Sequence, residues 1–122
     1  MREPGDVHIL VVDDDELVRA SLELEAEDAG FRVATAANGP AALELARYNR
    51  FDLVVCDIRM PGMDGLEVIE HLKKSQPQAG CIVITGYASP DTPVRALKMR
   101  VDDYLLKPFD GPTFLASVRQ VL

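Results

Sequence analysis

Five polar residues that could do chemistry stand where apolar runs of this sequence end. They are Asp13, Asp14, Asp57, Thr85 and Lys107. If a fold gathered them, three crowded carboxylates would raise one another's pKa values and cost stability unless a cation neutralised them. Carboxylates with open water positions suit Mg²⁺, a hard ion that proteins often share with phosphate. The residue types therefore predict a magnesium and phosphate site, provided that the five residues lie at one edge of the fold.

Each of these residues also has an ordinary structural explanation. Asp13 and Asp14 could start a turn, and Asp57 could cap the Pro-Gly loop that follows it. Thr85 could hydrogen-bond its own backbone, and Lys107 could be a solvated strand end before a proline. A shared site is favoured because all five residues follow apolar runs, which an ordinary soluble domain would not be expected to arrange so consistently.

The elements that must position these residues alternate along the chain. Short apolar segments, the pattern of strands buried on both faces, are each followed by a segment with apolar residues at helical spacing. The predicted strands cover residues 7–13, 31–36, 53–57, 81–85 and 104–107. Strand-helix alternation implies an α/β fold, with a parallel sheet between two layers of helices. In such sheets ligands bind at the carboxyl ends of the strands, which is where the five polar residues stand.

Local signals mark where the helices begin and end. Asp15 is a good N-cap for the first helix, and Gly30 ends it. Asp110 caps the last helix in the same way. Pro93 would remove a hydrogen bond from a helix begun earlier, so we place the start of the fourth helix at Asp91. The second helix begins at Asn38-Gly39-Pro40, and the third carries Leu66, Ile69 and Leu72.

The composition indicates one globular domain. The chain has 122 residues, of which 48% are hydrophobic and 27% charged, and a net charge of −7. This charge argues against direct binding to nucleic acid or to an anionic membrane. No apolar run approaches the ~20 residues of a membrane span, and the first residues show no signal-peptide pattern. We therefore expect a cytoplasmic domain over residues 7–122, preceded by a flexible tail at 1–6.

The two cysteines are predicted to be buried free thiols. If the third and fourth strands end level with each other, at Asp57 and Thr85, then Cys56 is level with Ile84. Cys81 would lie three residues further back, roughly 10 Å away at ~3.3 Å per residue, which is too far for a disulfide.

Four segments together resemble a known family. "ILVVDDDELVR", "DLVVCDIRMPGMDGLEVI", "IVITGYAS" and "YLLKPFD" are similar, in order and spacing, to the receiver domain of two-component response regulators. The resemblance covers about residues 7–122. It implies the flavodoxin-like (βα)5 fold, whose five-stranded sheet has the order 2-1-3-4-5.

The resemblance also implies roles for the site residues. Asp57 would accept a phosphoryl group from a histidine of a sensor kinase or a histidine phosphotransfer protein, and the domain would catalyse only its own phosphorylation and dephosphorylation. Mg²⁺, for which Mn²⁺ could substitute, would be held directly by Asp14 and Asp57, largely through water by Asp13, and by the backbone carbonyl of Arg59. Thr85 and Lys107 would bind phosphoryl oxygens. Gly86 would leave room for a backbone N–H to approach them, and Lys107-Pro108 would be a cis peptide.

In this family a switch follows phosphorylation. Thr85 would move toward the phosphoryl group, and Tyr104 would swing inward to fill the space. Without the resemblance, Tyr104 is an ordinary half-buried strand tyrosine. The changed surface would be helix 4, strand 5 and helix 5, roughly residues 91–122. It would contact an output domain or a target protein, and phosphorylation could lead to a homodimer.

Several positions depart from the family pattern. Arg100 stands where the family commonly has glycine, so we expect the end of the fourth helix to turn differently. Arg59 and Tyr87 flank the site at positions that tune phosphoryl lifetime, and as a hypothesis Arg59 alters autodephosphorylation. Equal decay rates in wild type and Arg59→Ala would refute it. We assign Lys73 and the other remaining charges to solvated helix faces.

Three other functions are disfavoured by particular residues of the sequence. A haloacid dehalogenase-type phosphatase needs a second aspartate two residues after its nucleophile, where this chain has Arg59. A flavodoxin-like cofactor carrier needs a hydroxyl-rich phosphate loop, and residues 13–16 are all acidic and would repel a phosphate. A receiver used as a constitutive interaction module, without phosphorylation, usually lacks one of the acidic, Thr or Lys positions, and all are present here.

Overall fold

The computed structural model describes residues 3–86 and 100–122 of the chain. A 3₁₀ turn at Pro4–Asp6 precedes five strands: β1 (His8–Val12), β2 (Arg32–Ala36), β3 (Leu53–Asp57), β4 (Gly80–Thr85) and β5 (Asp103–Leu106). The described helices are α1 (Glu16–Asp28), α2 (Gly39–Tyr48), α3 (Gly65–Ser75) and a C-terminal helix (Gly111–Val121). Within these residues, none of the helices combines the length and apolar character that crossing a membrane requires.

The five strands form one parallel sheet in the order β2-β1-β3-β4-β5. This confirms the predicted α/β fold and its strand order. β3 and β1 lie inside the sheet, and all five residues of β3 are buried. The strand order reverses between β1 and β3, because the chain adds β2 on one side of β1 and adds β3, β4 and β5 on the other. Doubly wound sheets bind ligands at this point.

Two apolar cores cover the two faces of the sheet. Because side chains alternate along a strand, Leu10 and Val54 point to one face while Ile9 and Val55 point to the other. The first face packs against α2 and α3, through residues that include Ala42, Leu66, Ile69 and Leu72. The second packs against α1 and the C-terminal helix, through Leu22, Ala26, Phe114 and Val118. Fully burying a valine, leucine, isoleucine or phenylalanine side chain contributes about 1.5–3 kcal/mol.

Side-chain caps start all four described helices. Asp15 accepts hydrogen bonds from the amides of Leu17 and Val18, and Asp110 accepts one from Thr113, as predicted. Asn38 caps α2, and Asp64, which the sequence analysis did not single out, caps α3. Caps of this type contribute about 0.5–2 kcal/mol each. The predicted stop at Gly30 is confirmed by its φ of +96°, a left-handed conformation that glycine adopts at little cost.

The predicted register of β3 and β4 is wrong by one residue. Asp57 is level with Ile84, and Cys56 with Val83. The amide of Gly80 donates to the carbonyl of Asp52, so β4 begins one residue earlier than its apolar run indicates. Cys81 therefore lies two residues behind Cys56, not three, which places their Cα atoms about 8 Å apart by strand geometry. Both thiols are buried and free, as predicted.

The segment before β5 turns at Arg100, with a φ of +58°. Arg100 itself adopts this left-handed conformation, which glycine adopts most readily. The expectation that the corner turns differently from that of the family stays a prediction. The ammonium of Lys73 donates to the Arg100 carbonyl at 3.2 Å, so Lys73 is not simply solvated. The predicted start of the fourth helix, with Asp91 and Pro93, lies outside the described residues, as does Tyr87.

The end of β5 and the first residues of the chain can also be compared with the predictions. β5 ends at Leu106, so Lys107 is the first residue after the strand and not its last. The Lys107-Pro108 peptide is cis, as the resemblance implied. At the other end, the amide of Val7 donates to the carbonyl of Pro4 at 3.0 Å, within the segment expected to be a tail. The flexibility of that segment stays a prediction.

Candidate metal centre at the carboxyl edge of the sheet

Three carboxylates meet where β1 and β3 end. These strands are neighbours, with Val12 level with Cys56, so Asp13 and Asp57 leave the sheet side by side. One carboxylate oxygen from each of Asp13, Asp14 and Asp57 lies within 4.8 Å of the others. Asp13 is fully buried and Asp57 is 5% exposed, whereas Asp14 is exposed. The cluster is therefore open to solvent on the side of Asp14.

Lys107 reaches this cluster from the loop after β5. Its Nζ lies 2.8 Å from Oδ2 of Asp13 and 3.3 Å from Oδ2 of Asp57. The Lys107 amide donates to the carbonyl of Thr85 at 2.8 Å, which fixes where the side chain leaves the backbone. The ammonium therefore bridges the two buried carboxylates.

The pKa values of Asp57 and Lys107 are both shifted by burial and by the neighbouring charges. Burial raises the pKa of Asp57, and the nearby charge of Asp13 raises it further, against the opposing effect of Lys107 and the Arg59 amide. Burial alone would lower the pKa of Lys107, but its hydrogen bond to Asp13 and the charges of Asp57 and Asp13 outweigh burial and raise it. Three carboxylates face one ammonium. A donor set of carboxylate oxygens with excess negative charge fits a hard divalent cation.

Asp13 is held at several of its atoms. Its amide donates to the carbonyl of Ala36 at 3.2 Å, and its Oδ1 accepts the amide of Asp15 at 2.9 Å. Its carbonyl accepts a 2.8 Å hydrogen bond from Nη1 of Arg19. No local sequence pattern predicts this contact of Arg19, because a spacing of six residues across a strand-helix loop is not a recognised contact pattern.

The loop after β3 packs closely on Asp57. The Arg59 amide donates to Oδ1 of Asp57 at 3.3 Å, while the Arg59 side chain is exposed. The amide of Gly65 donates to the carbonyl of Ile58 at 2.9 Å. A Cβ on Gly65 would overlap the backbone carbonyl of Asp57. Only glycine lets α3 begin so close to the end of β3, a requirement that the sequence analysis missed.

Thr85 and Tyr104 lie on neighbouring strands and on the same face of the sheet. Thr85 is fully buried at the end of β4 and is level with Leu106. Tyr104 is level with Val83, two residues before Thr85, and packs partly buried against the core on the α2 and α3 side. Within the described part of the chain, Oη of Tyr104 is buried and has no hydrogen-bond partner. Burial raises the pKa of Tyr104.

Fold and site together define a doubly wound α/β domain with a cluster of carboxylates at its carboxyl edge that could bind a metal ion. The family model of the response regulator receiver domain matches residues 9–119, and the chain belongs to this family. Membership of this family is consistent with two-component signalling.

The chain is also similar in sequence to curated regulatory proteins and in structure to solved response regulators. The chain is 48% identical over 116 residues to the transcriptional regulatory protein ZraR of Klebsiella oxytoca, covering 95% of this chain and 26% of the relative. It spans about a quarter to a half of the lengths of the first curated relatives that it matches.

Two solved structures with a fold similar to that of this chain contain bound ligands. A Burkholderia pseudomallei response regulator with a phosphorylated aspartic acid, a calcium ion and citrate has a TM-score of 0.85 and 38% identity, covering 92% of this chain and 66% of that chain. The response regulator TrrA of Thermotoga maritima, in complex with Mg²⁺-BeF, has a TM-score of 0.85 and 34% identity, covering 95% and 99% of the two chains.

Proposed function

We propose that Asp57 accepts a phosphoryl group from a phosphohistidine of a sensor kinase or a histidine phosphotransfer protein, in a Mg²⁺-dependent reaction. The observation that carries this proposal is the meeting of the Asp57 carboxylate with Asp13 and Asp14 within 4.8 Å, beside the ammonium of Lys107. The domain catalyses its own phosphorylation and dephosphorylation and acts on no other substrate.

The transfer requires little covalent machinery. A carboxylate oxygen of Asp57 forms a bond to phosphorus, and the phosphorus–nitrogen bond of the phosphohistidine breaks. The imidazole leaves with the electron pair and takes up a proton from solvent. Phosphoryl transfer depends mainly on in-line positioning and on neutralising the charge of the equatorial oxygens. Lys107 and Thr85 supply donors to those oxygens, and Gly86 leaves room for a backbone N–H to approach them.

The cation site is assigned to the chain's own oxygen ligands. Asp14 and Asp57 would hold Mg²⁺ directly, Asp13 would act largely through water, and the Arg59 backbone carbonyl would complete the set, with Mn²⁺ as an acceptable substitute. When bound, Mg²⁺ would supply positive charge that offsets the negative charge of the Asp57 carboxylate and of the incoming phosphoryl group. The ligands in the B. pseudomallei and T. maritima neighbours support this assignment.

The signal leaves the site through Thr85 and Tyr104. Thr85 shifts toward the phosphoryl group, and Tyr104 then moves inward on the face that the two residues share. The buried Oη of Tyr104, without a partner in the described residues, supports this role because a tyrosine in that state gains by reaching one. The altered surface comprises helix 4, strand 5 and helix 5, and it engages an output domain, a target protein or a second copy of the chain.

The remaining assignments follow from the same proposal. Residues 7–122 form the receiver unit and residues 1–6 a flexible tail. The unit acts in the cytoplasm. Its net charge of −7 disfavours direct contact with nucleic acid or with an anionic membrane.

The test is incubation with acetyl phosphate and Mg²⁺, followed by intact-mass measurement. Wild type should gain the mass of one phosphoryl group, and Asp57→Asn should gain none. Asp28→Asn changes an exposed aspartate at the end of α1 and serves as the matched control, which should behave like wild type. Omitting Mg²⁺ should abolish the gain. No gain in wild type, and no response to beryllofluoride, would instead favour a constitutive interaction module.

A further inference from the structure

Arg19 connects α1 to the end of β1. It lies in the second turn of α1, and its Nη1 donates to the carbonyl oxygen of Asp13 at 2.8 Å. Arg19 is half-buried, whereas the carboxylate of Asp13 is fully buried in the cation site. The guanidinium thus acts on the backbone of a proposed cation ligand and not on its carboxylate.

This hydrogen bond closes a ring of contacts around the acidic loop. Oδ1 of Asp13 accepts the amide of Asp15 at 2.9 Å, and Oδ1 of Asp15 accepts the amide of Leu17 at 2.9 Å. The amide of Arg19 donates to the carbonyl of Asp15 at 2.9 Å, and its side chain returns to Asp13. Asp14 is therefore carried by a three-residue segment that is tied to the first turns of α1 at both ends.

We infer that Arg19 is a positioning residue of the cation site, which it organises before the ion binds. The inference rests on the proposed function. With the Asp13 carbonyl held, the backbone of Asp13 and Asp14 has few alternative conformations, so binding the ion costs less conformational entropy. Removing an outer partner of a metal ligand typically weakens metal affinity by about 10–100-fold.

The sign of the effect separates positioning from simple electrostatics. A cation near a Mg²⁺ site repels the ion, so removing the charge of Arg19 would tighten binding if charge alone mattered. If Arg19 positions the loop, its removal weakens binding in spite of the lost repulsion. A third role, in which Arg19 only stabilises the N-terminal part of α1, would change the melting temperature and leave the Mg²⁺ affinity as it was.

The experiment is calorimetric titration of the intact chain with Mg²⁺, beside a thermal melt of each variant. Arg19→Met keeps the aliphatic stem and removes the donors, and we expect its Kd to rise roughly tenfold. Arg19→Lys keeps the charge and a shorter donor and should recover part of this loss. Arg119→Met removes the same charge in the last turn of the C-terminal helix and should bind like wild type.

Phosphorylation by acetyl phosphate provides a second measurement. The Mg²⁺ concentration that gives half the maximal rate should rise in Arg19→Met, while the rate at saturating Mg²⁺ changes much less. Should Arg19→Met fail to fold, Arg19→Gln replaces it, with the same expected direction.

The outcomes are distinguishable. An unchanged or tighter Kd in folded Arg19 variants, with wild type binding Mg²⁺ and taking up phosphoryl, overturns the inference alone. A wild type that binds no Mg²⁺ overturns the proposed function and the inference together. A weaker Kd in Arg19→Met, recovered in part by Arg19→Lys and absent in Arg119→Met, supports both.

Discussion

The ammonium of Lys107 lies 2.8 Å from Oδ2 of Asp13, although the two residues are 94 positions apart in the chain. β3 and β4 stand between the strands that these residues follow, so the lysine side chain crosses the carboxyl edge of the sheet to reach β1. This contact, with the one to Asp57, ties the loop after β5 to the carboxylates at the ends of β1 and β3. We therefore expect changes at Lys107 to affect both the stability of this edge and the proposed phosphoryl transfer.

Replacing Lys107 by methionine should destabilise the protein when no Mg²⁺ is added. The substitution leaves the buried carboxylates of Asp13 and Asp57 without their ammonium partner, and removing one member of a buried ion pair is costly. Because Lys107 is 21% exposed, we expect a loss of about 2 kcal/mol in the free energy of unfolding, measured by urea denaturation. Lys74→Met, on the exposed end of α3, is the control and should lose little. Equal losses in the two variants would contradict the prediction.

Asp57→Asn should stabilise the protein at neutral pH without added Mg²⁺. The pKa of Asp57 is raised above its ordinary value of 3.8, first by burial, so the folded state holds this proton more tightly than the unfolded chain. The contribution of Asp57 to stability is therefore fully present below pH 3.8 and is lost as the pH rises through the raised pKa. The asparagine variant avoids this loss.

Thermal melts at several pH values measure this difference. A change of about 1 kcal/mol shifts the melting temperature of a domain of this size by about 3–6 °C. The advantage of Asp57→Asn should shrink toward acid pH, and saturating Mg²⁺ should reduce or reverse it at neutral pH. An advantage that grows as the pH falls would show that the sign is wrong.

Gly65→Ala should disrupt both the fold near Asp57 and phosphoryl uptake. The new Cβ would overlap the Asp57 carbonyl, which can move only if β3 or α3 shifts. We expect a loss of about 2 kcal/mol or more, as in other overpacked positions, together with slower uptake from acetyl phosphate. Gly5→Ala places a Cβ with no atom within 4 Å and should leave both properties unchanged. Wild-type stability in Gly65→Ala would refute the packing argument.

The left-handed corner at Arg100 should discriminate between side chains. Its φ of +58° is costly for most residues and especially for β-branched ones. Arg100→Val should therefore lose about 1–2 kcal/mol in a denaturant titration, whereas Arg100→Gly should be at least as stable as wild type. The same valine substitution at exposed Arg50 is the control. Equal stability of Arg100→Val and Arg100→Gly would contradict the left-handed assignment.

Tyr104→Phe should stabilise the protein without added Mg²⁺ or phosphodonor. Among the described residues the Tyr104 hydroxyl is buried and has no hydrogen-bond partner, so deleting it removes an uncompensated desolvation cost of about 1 kcal/mol. Tyr48→Phe removes the hydroxyl of a side chain that is 74% exposed and should have no effect on urea denaturation. A destabilised Tyr104→Phe would mean that the hydroxyl makes a favourable contact after all.

Local sequence patterns were enough to predict most of the fold. Asp15 and Asp110 were predicted as caps because a capping side chain bonds amides only two or three residues away. The strand ends at Asp57 and Thr85 followed from apolar runs that stop at a polar residue. The register of β3 against β4 was wrong by one residue because it depends on the hydrogen bond between Gly80 and Asp52, which no local pattern predicts. The requirement for glycine at position 65 was missed because it depends on how closely α3 packs on the Asp57 carbonyl, which no local pattern predicts either.

The sequence by itself determined the strand-helix alternation, the ends of most elements and the set of polar residues at the carboxyl edge, since these depend on side-chain periodicity and on contacts within a few residues. Only the tertiary structure decided that Lys107 bridges Asp13 and Asp57, that Arg19 holds the Asp13 carbonyl, and that Lys73 meets the corner at Arg100. These contacts depend on how elements pack across the sheet, to within a fraction of an ångström. Periodicity places a residue on an element but leaves the reach of its side chain to the packing.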